Sequence, residues 1–154
     1  MKPKDLNESI LCLNFRYKSF VLEILKKCLN QRWVILRHIL SKDSLEGCHF
    51  DLLLEDGDYC RTWHLKNMPR VNGPSVEVTL IAPHKLHWLD REECEVSGGR
   101  GWAKRVEKGY FDGSLPTNED DLVSIEINSS RLSGRLEIGR KLCKLISSSK
   151  FHVN

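Results

Sequence analysis

The sequence lacks a long hydrophobic run. No apolar stretch approaches the ~18–20 residues that a membrane-spanning helix needs. The first 15 residues contain only a brief apolar stretch and no clear small-residue cleavage site. The sequence therefore indicates neither a membrane-spanning segment nor a secretory signal. We expect a cytoplasmic protein with no membrane partner.

The sequence also lacks paired cysteines, internal repeats and low-complexity segments. Its six cysteines are scattered and form no C-x-x-C pair, which argues against a zinc ribbon or a dense disulfide framework. We expect them to be reduced thiols that mostly fill space. The absence of a repeat argues against a solenoid. A chain of 154 residues is long enough for one domain with a sizeable core.

The net charge is small, but basic residues are clustered. A formal net charge of +3 does not by itself indicate an anionic partner. One segment contains Arg100, Lys104, Arg105 and Lys108, and a second basic segment covers residues 131–144. Solvated surfaces explain most runs of this kind. Binding of phosphate groups is the alternative that the two clusters leave open.

Hydrophobic periodicity divides the chain near Gln31. Residues 17–30 place apolar side chains at helical spacing, with lysines on the other side, which predicts an amphipathic helix. From Trp33 onward, short apolar or alternating runs are separated by turn signals such as Asp56-Gly57. This pattern is typical of an antiparallel β-sandwich or a closed β-barrel.

The same pattern predicts the order of the strands and the division of the chain. We expect a helical extension at 1–31, a β-rich core at 32–140, and a C-terminal tail at 141–154 that begins with a last helical turn. The predicted strand segments are 33–40, 49–56, 59–65, 76–82, 103–111, 122–128 and 131–139.

Metal-ligating residue types lie close together in the first two predicted strands. Strand alternation places His49 and Asp51 on one face, and His38 approaches that face if the two strands pair. Two imidazoles and one carboxylate suit a transition metal such as manganese or zinc, with positions left for water and substrate. Hydrogen-bonded structural histidines are the alternative interpretation. We interpret His64, on the next strand, as a structural residue.

The segment 97–105, SGGRGWAKR, has three glycines around Arg100. Glycines allow the backbone to approach an anion closely, and exposed amides together with an arginine can hold a phosphate. The sequence has no Walker pattern and no dinucleotide-binding fingerprint. A simple turn is the alternative interpretation of this loop.

Several motifs follow one another in a fixed order. A strand that contains His38 precedes the "HxD" element His49-Phe50-Asp51, a hairpin and a strand with Trp63. The element PHKLHW at 83–88, the glycine-containing loop and the final segment VSIEINSSRLSGRLEIGR come next. In this order the motifs resemble the 3′-phosphoesterase domain of bacterial DNA ligase D, which also occurs as stand-alone proteins. The "DHPLEY" element of that family corresponds to 83–88 here.

The resemblance covers roughly residues 32–140 and implies a fold and an activity. It implies a small, mostly antiparallel β-barrel whose cavity holds one divalent metal, typically manganese, with zinc as the alternative. It also implies a hydrolase of DNA repair that removes 3′-phosphates and 3′-terminal ribonucleosides from DNA ends. The implied partners are DNA or DNA/RNA 3′ ends and a separate ligase or polymerase.

The resemblance also implies roles for individual residues. Carried over by motif, His38, His49 and Asp51 become the metal ligands. His84 becomes a catalytic phosphate contact and acid–base group, and Arg61 becomes a clamp on the scissile phosphate. The basic residues expected to bind phosphate or nucleic acid are Arg100, Lys104 and Arg105.

The sequence departs from the family at three polar positions. Leu53 stands where active members have an arginine, Trp88 replaces a tyrosine, and Pro83 replaces an aspartate. The spacer between His38 and His49 is also longer. These departures favour a second hypothesis, in which a catalytically weak or inactive β-barrel binds nucleic-acid ends or a repair partner. The residues expected to make these contacts are Arg61, Arg100, Lys104 and Arg105. A third hypothesis is a phosphoesterase for a small phosphorylated molecule.

Overall fold

Most of the described chain is β-strand. The computed structural model describes residues 16–21, 24, 31–40 and 47–148. The strands in these residues are β1 (Gln31–Ile39), β2 (Cys48–Asp56), β3 (Tyr59–Leu65), β4 (Val76–Lys85), β5 (Glu93–Glu95), β6 (Trp102–Asp112), β7 (Val123–Ser129), β8 (Ser133–Ile138) and β9 (Leu142–Ile146). One turn of 3-10 helix, Leu86–Leu89, connects β4 to β5.

Eight of the strands close into an antiparallel barrel. Neighbouring strands follow the order β1-β2-β3-β4-β9-β8-β7-β6, and β6 pairs again with β1. The short β5 pairs with β6 outside this ring. Closure satisfies the backbone groups that an open sheet would leave at its edges. The predicted mainly β fold, a small antiparallel barrel with an N-terminal helix, is confirmed.

The N-terminal helix is described in part. Residues 16–21 and 24 are helical, and the rest of the helix predicted at 17–30 lies outside the described residues. In the part of the chain that the structure describes, no helix is long and apolar enough to cross a membrane.

Apolar side chains fill the interior of the barrel. Each of the eight strands contributes buried residues to one cluster, which includes Trp33, Trp63 and Phe111. This filling follows from strand alternation, because every second side chain of each strand points inward. The polar candidate residues His38, His49 and Asp51 lie on the other, outer face of these strands.

The hairpin between β2 and β3 sets the register of the candidate site. Its two loop residues are Gly57 and Asp58, and Gly57 has φ +66°. A positive φ at the first central position fits a type II′ turn, which matches the twist of paired strands. The resulting register places Asp51 directly opposite His64. These are the two residues left between the predicted segments 49–56 and 59–65, and the turn signal Asp56-Gly57 overlaps them.

The C-terminal boundary differs from the prediction. Residues 142–146 form β9, which pairs with β8 and β4 and completes the barrel. The division into a core at 32–140 and a tail at 141–154 is therefore wrong at this end. The apolar spacing in LCKLI fits one helical turn as well as a short strand, so periodicity alone does not separate the two.

Candidate metal site

A second apolar cluster lies on the outer face of β1, β2 and β3. It contains Val34, Leu36, Leu53 and Cys60, and Leu89 of the 3-10 helix covers it. These strand positions alternate with those that fill the interior, so they point away from it. The candidate polar residues lie beside this apolar cluster, on the same outer face of the strands.

His38, His49 and Asp51 converge on this outer face. His38 lies directly opposite His49 in the β1–β2 pairing, and its Nδ1 is 3.1 Å from Nε2 of His49. His49 Nε2 is 3.3 Å from Asp51 Oδ1, and His38 Nδ1 is 3.9 Å from Asp51 Oδ2. One ligand atom from each residue lies within 4.8 Å of the other two. The predicted pairing of these strands therefore brings the three residues together.

The donor set and its spacing fit a divalent metal. Metal–ligand bonds of about 2.0–2.1 Å separate adjacent donors by roughly 2.8–3.4 Å in octahedral or tetrahedral sites. The distances from His49 Nε2 to the other two residues, 3.1 and 3.3 Å, fall in this range. The His38–Asp51 distance of 3.9 Å is wider, so a small rotation of one side chain would complete the fit.

A backbone carbonyl fixes the orientation of His38. Nε2 of His38 donates to the carbonyl oxygen of Arg100, 2.9 Å away. Because a carbonyl only accepts, the hydrogen of the neutral ring is on Nε2, and Nδ1 keeps the lone pair that a metal needs. Hydrogen bonds of this kind orient metal-binding histidines in many proteins.

Gly101 allows the loop to reach His38. It has φ +102°, and a Cβ there would lie 2.0 Å from the carbonyl oxygen of Ile39. No other residue type fits such an approach, because both the backbone angle and the contact exclude a side chain. The glycine loop is therefore held against the end of β1, next to the candidate ligands.

Asp51 is the buried centre of the site. The residue is 5% exposed, and its carboxylate is close to three imidazoles. Besides His38 and His49, it contacts His64, whose Nδ1 is 2.5 Å from Asp51 Oδ1. From the sequence, His64 is predicted to be a structural residue with no role in the site. A two-residue loop at Gly57-Asp58 was the signal that could have placed His64 opposite Asp51.

His84 lines the same cavity from the end of β4. Its Nδ1 donates to the carbonyl oxygen of Ala82 over 3.3 Å. Burial lowers the pKa of His84 below the ordinary histidine value, and the negative charge of Asp51 opposes this effect in part. Burial therefore favours the neutral imidazole.

The candidate ligands open into a cavity of about 870 Å³. Its floor is formed by His38, His49, Asp51 and His64, and its walls come from segments 81–88 and 96–103. Arg100 lines the cavity, and its Nε donates to the carbonyl oxygen of Ser97 over 2.8 Å. Arg100 and His84 therefore line the same cavity as the candidate metal ligands.

Arg61 does not face this cavity. It lies on the opposite face of β3 and is 4% exposed. Its Nε and Nη2 donate to Asp56 at 3.0 and 2.6 Å, and its Nη1 donates to the carbonyl oxygen of Pro116 at 2.8 Å. The role of phosphate clamp is therefore wrong, because the guanidinium is buried in structural contacts.

Lys104 and Arg105 also lie away from the cavity lining. Arg105 donates to the carbonyl oxygens of Leu89 and Arg91 and pairs with Glu92 at 3.0 Å. It therefore anchors the segment that covers the outer apolar cluster. Lys104 is exposed on β6 and does not line the cavity. Of the three predicted phosphate-binding residues, Arg100 alone lines it.

Two departures from the family pattern have structural consequences. Leu53 is fully buried in the outer apolar cluster. Trp88 packs against the same cluster and lines the cavity, with its ring centroid 6.0 Å from that of His84. Both side chains therefore make the surroundings of the candidate ligands more apolar than an arginine and a tyrosine would.

Comparison of the chain with protein-family models and with curated proteins gives no match. The resemblance to the ligase D 3′-phosphoesterase domain thus rests on the sequence motifs alone.

Proposed function

We propose that the chain is a divalent-metal-dependent phosphoesterase that acts on 3′ ends of DNA and removes a 3′-phosphate or a 3′-ribonucleotide. The observation that carries this proposal is the convergence of His38, His49 and Asp51 within 4.8 Å of one another. They line an open cavity that also presents Arg100 and His84. A metal centre, a cation for phosphate and a proton-transfer group are the components that phosphoester hydrolysis requires.

The resemblance favours manganese as the metal, with zinc as the alternative, and the ligand group is compatible with either. Two imidazoles and one carboxylate leave a bound divalent ion with positive charge and with open coordination positions. When bound, such an ion supplies Lewis-acid polarisation of a phosphoryl oxygen and lowers the pKa of water. The Arg100 carbonyl keeps Nδ1 of His38 available for this role, and the buried Asp51 contributes the negative charge.

His84 is suited to accept a proton. Its Nδ1 hydrogen is held by the Ala82 carbonyl, so Nε2 of the neutral ring has the lone pair. Because burial lowers the pKa of His84, the neutral form predominates near pH 7. We assign His84 the role of general base toward the attacking water, followed by proton return to the leaving group.

Arg100 is suited to hold the substrate phosphate. Its side chain is fixed to Ser97 through the carbonyl oxygen at 2.8 Å and the hydroxyl at 3.4 Å. A guanidinium restrained in this way loses less conformational freedom when it binds a phosphate oxygen. Lys85 lines the same cavity and adds positive charge.

The direct test is an assay on a primer that ends in a 3′-phosphate or in one 3′-ribonucleotide, with manganese present. We expect a 3′-hydroxyl product from the wild-type chain. His49→Ala should abolish turnover, whereas Lys144→Ala, an exposed substitution on β9, should retain it. Equal turnover by wild type and His49→Ala would contradict the proposal.

A second candidate function is binding of nucleic-acid ends without turnover. This candidate is favoured because the cavity offers few cations to hold a reacting phosphate: Arg100 is the only arginine among the described residues that line it. Leu53 and Arg61 supply no charge there. DNA-end binding that depends on Arg100 but yields no product would support this candidate.

A further inference from the structure

His64 contacts two of the three candidate metal ligands. It lies directly opposite Asp51 in the β2–β3 register, and its Nδ1 is 2.5 Å from Asp51 Oδ1. Because a carboxylate oxygen accepts, the Nδ1 hydrogen of His64 is the donor. The His64 ring also lies 4.2 Å from the ring of His49, measured between centroids, at an interplanar angle of 59°.

His64 lies beside the candidate ligand set and not within it. The group of mutually close ligand atoms belongs to His38, His49 and Asp51. The position of His64 is therefore that of a neighbour that acts on the ligands.

We propose that His64 is a positioning residue for the metal site, and this inference rests on the proposed metal-dependent function. Its Nδ1–H holds the Asp51 carboxylate at the rotation that directs Oδ2 toward His38. Its ring restrains His49 from the side. Partners of this kind typically change metal affinity by about 10–100-fold when they are removed.

His64 is too exposed to contribute much to the packing of the core, so its removal tests the positioning role and not a loss of packing. Its side chain is 41% exposed, whereas that of Asp51 is 7% exposed. Removal of a half-exposed imidazole takes little volume from the core. The main effect of the removal should therefore be on the rotation of the Asp51 carboxylate and on the metal that the carboxylate binds.

The experiment measures Mn²⁺ affinity of the full chain by isothermal titration calorimetry. The variants are His64→Ala, His64→Asn and, as a matched control, His87→Ala, which removes an exposed imidazole on the rim of the same cavity. We expect His64→Ala to weaken binding about 10–100-fold. His64→Asn should recover most of the loss, because its amide N–H can donate to Asp51 as Nδ1–H does. His87→Ala should bind as the wild type does.

The rise in unfolding temperature on addition of Mn²⁺ provides a second measurement. It reports binding to the folded state, so any loss of metal-free stability is subtracted for each variant. Wild-type affinity in His64→Ala would overturn the positioning role. Equal weakening in His64→Ala and His64→Asn would overturn the hydrogen-bond account. A wild-type chain that binds neither Mn²⁺ nor Zn²⁺ would overturn the metal site itself, and with it the proposed function.

Discussion

Substitution of Gly101 by alanine tests whether the glycine loop supports the metal site. Gly101 has φ +102°, and its Cβ would lie 2.0 Å from the Ile39 carbonyl oxygen and 3.0 Å from Leu40 Cα. Both neighbours are backbone atoms, so no flexible side chain can move aside. The loop itself must shift, and it carries the Arg100 carbonyl that orients His38.

Gly99 in the same loop provides a matched comparison. It also has a positive φ, +67°, but a Cβ there meets nothing within 4 Å. Gly99→Ala should therefore cost only the backbone term, about 1–2 kcal/mol of the free energy of unfolding. Gly101→Ala adds the steric term, which for overpacking is typically about 1–3 kcal/mol.

Urea unfolding and Mn²⁺ titration of both variants provide the assay. We expect Gly101→Ala to be the less stable variant by about 1–3 kcal/mol and to bind Mn²⁺ more weakly than Gly99→Ala does. The weaker binding follows because a displaced carbonyl no longer fixes the hydrogen of His38 on Nε2. Equal stability and equal Mn²⁺ affinity in the two variants would refute the reasoning.

Three further predictions concern other residues of the site and its support. Leu53→Arg should destabilise the fold by several kcal/mol without raising phosphoesterase activity, because the position is fully buried; a stable variant in urea unfolding, or a more active one, would contradict this. Arg61→Ala should lower the free energy of unfolding by about 1–3 kcal/mol, since it leaves the partly buried Asp56 carboxylate without its donor, and should keep wild-type Mn²⁺ affinity in calorimetry. The midpoint of the fall of kcat/KM with decreasing pH should lie below the ordinary histidine pKa of 6.5, because the pKa of His84 is lowered. A midpoint above 6.5 would exclude His84 as the base.

The barrel could be predicted from the sequence because most strands have a strong alternating or apolar pattern. β3 matches the predicted segment 59–65, and β1, β2 and β7 match within two residues at each end. β5 was missed because the three residues Glu93–Glu95 have no apolar alternation. β9 was mistaken for a helical turn because five residues are too few to separate the two periods.

The convergence of His38, His49 and Asp51 could be predicted because it needs only local information. His49 and Asp51 share a face by alternation, and a β1–β2 hairpin places His38 beside them. Arg61 was assigned from the resemblance, although alternation already excluded it. Thr62 and His64 of β3 lie on the same face as Asp51, whereas Arg61, between Cys60 and Thr62, points to the other face.

The role of His64 depends on the position of the turn, to within one residue. A loop centred on Asp56-Gly57 would pair Asp51 with Thr62, whereas the loop at Gly57-Asp58 pairs it with His64. The two registers place the same set of side chains on each face, since the partner of Asp51 changes by two residues. Apolar patterning therefore cannot choose between them. The turn determines the register, because Gly57 supplies the positive φ at the first central position. The backbone preference of this one glycine therefore determines which side chain supports the buried Asp51 carboxylate.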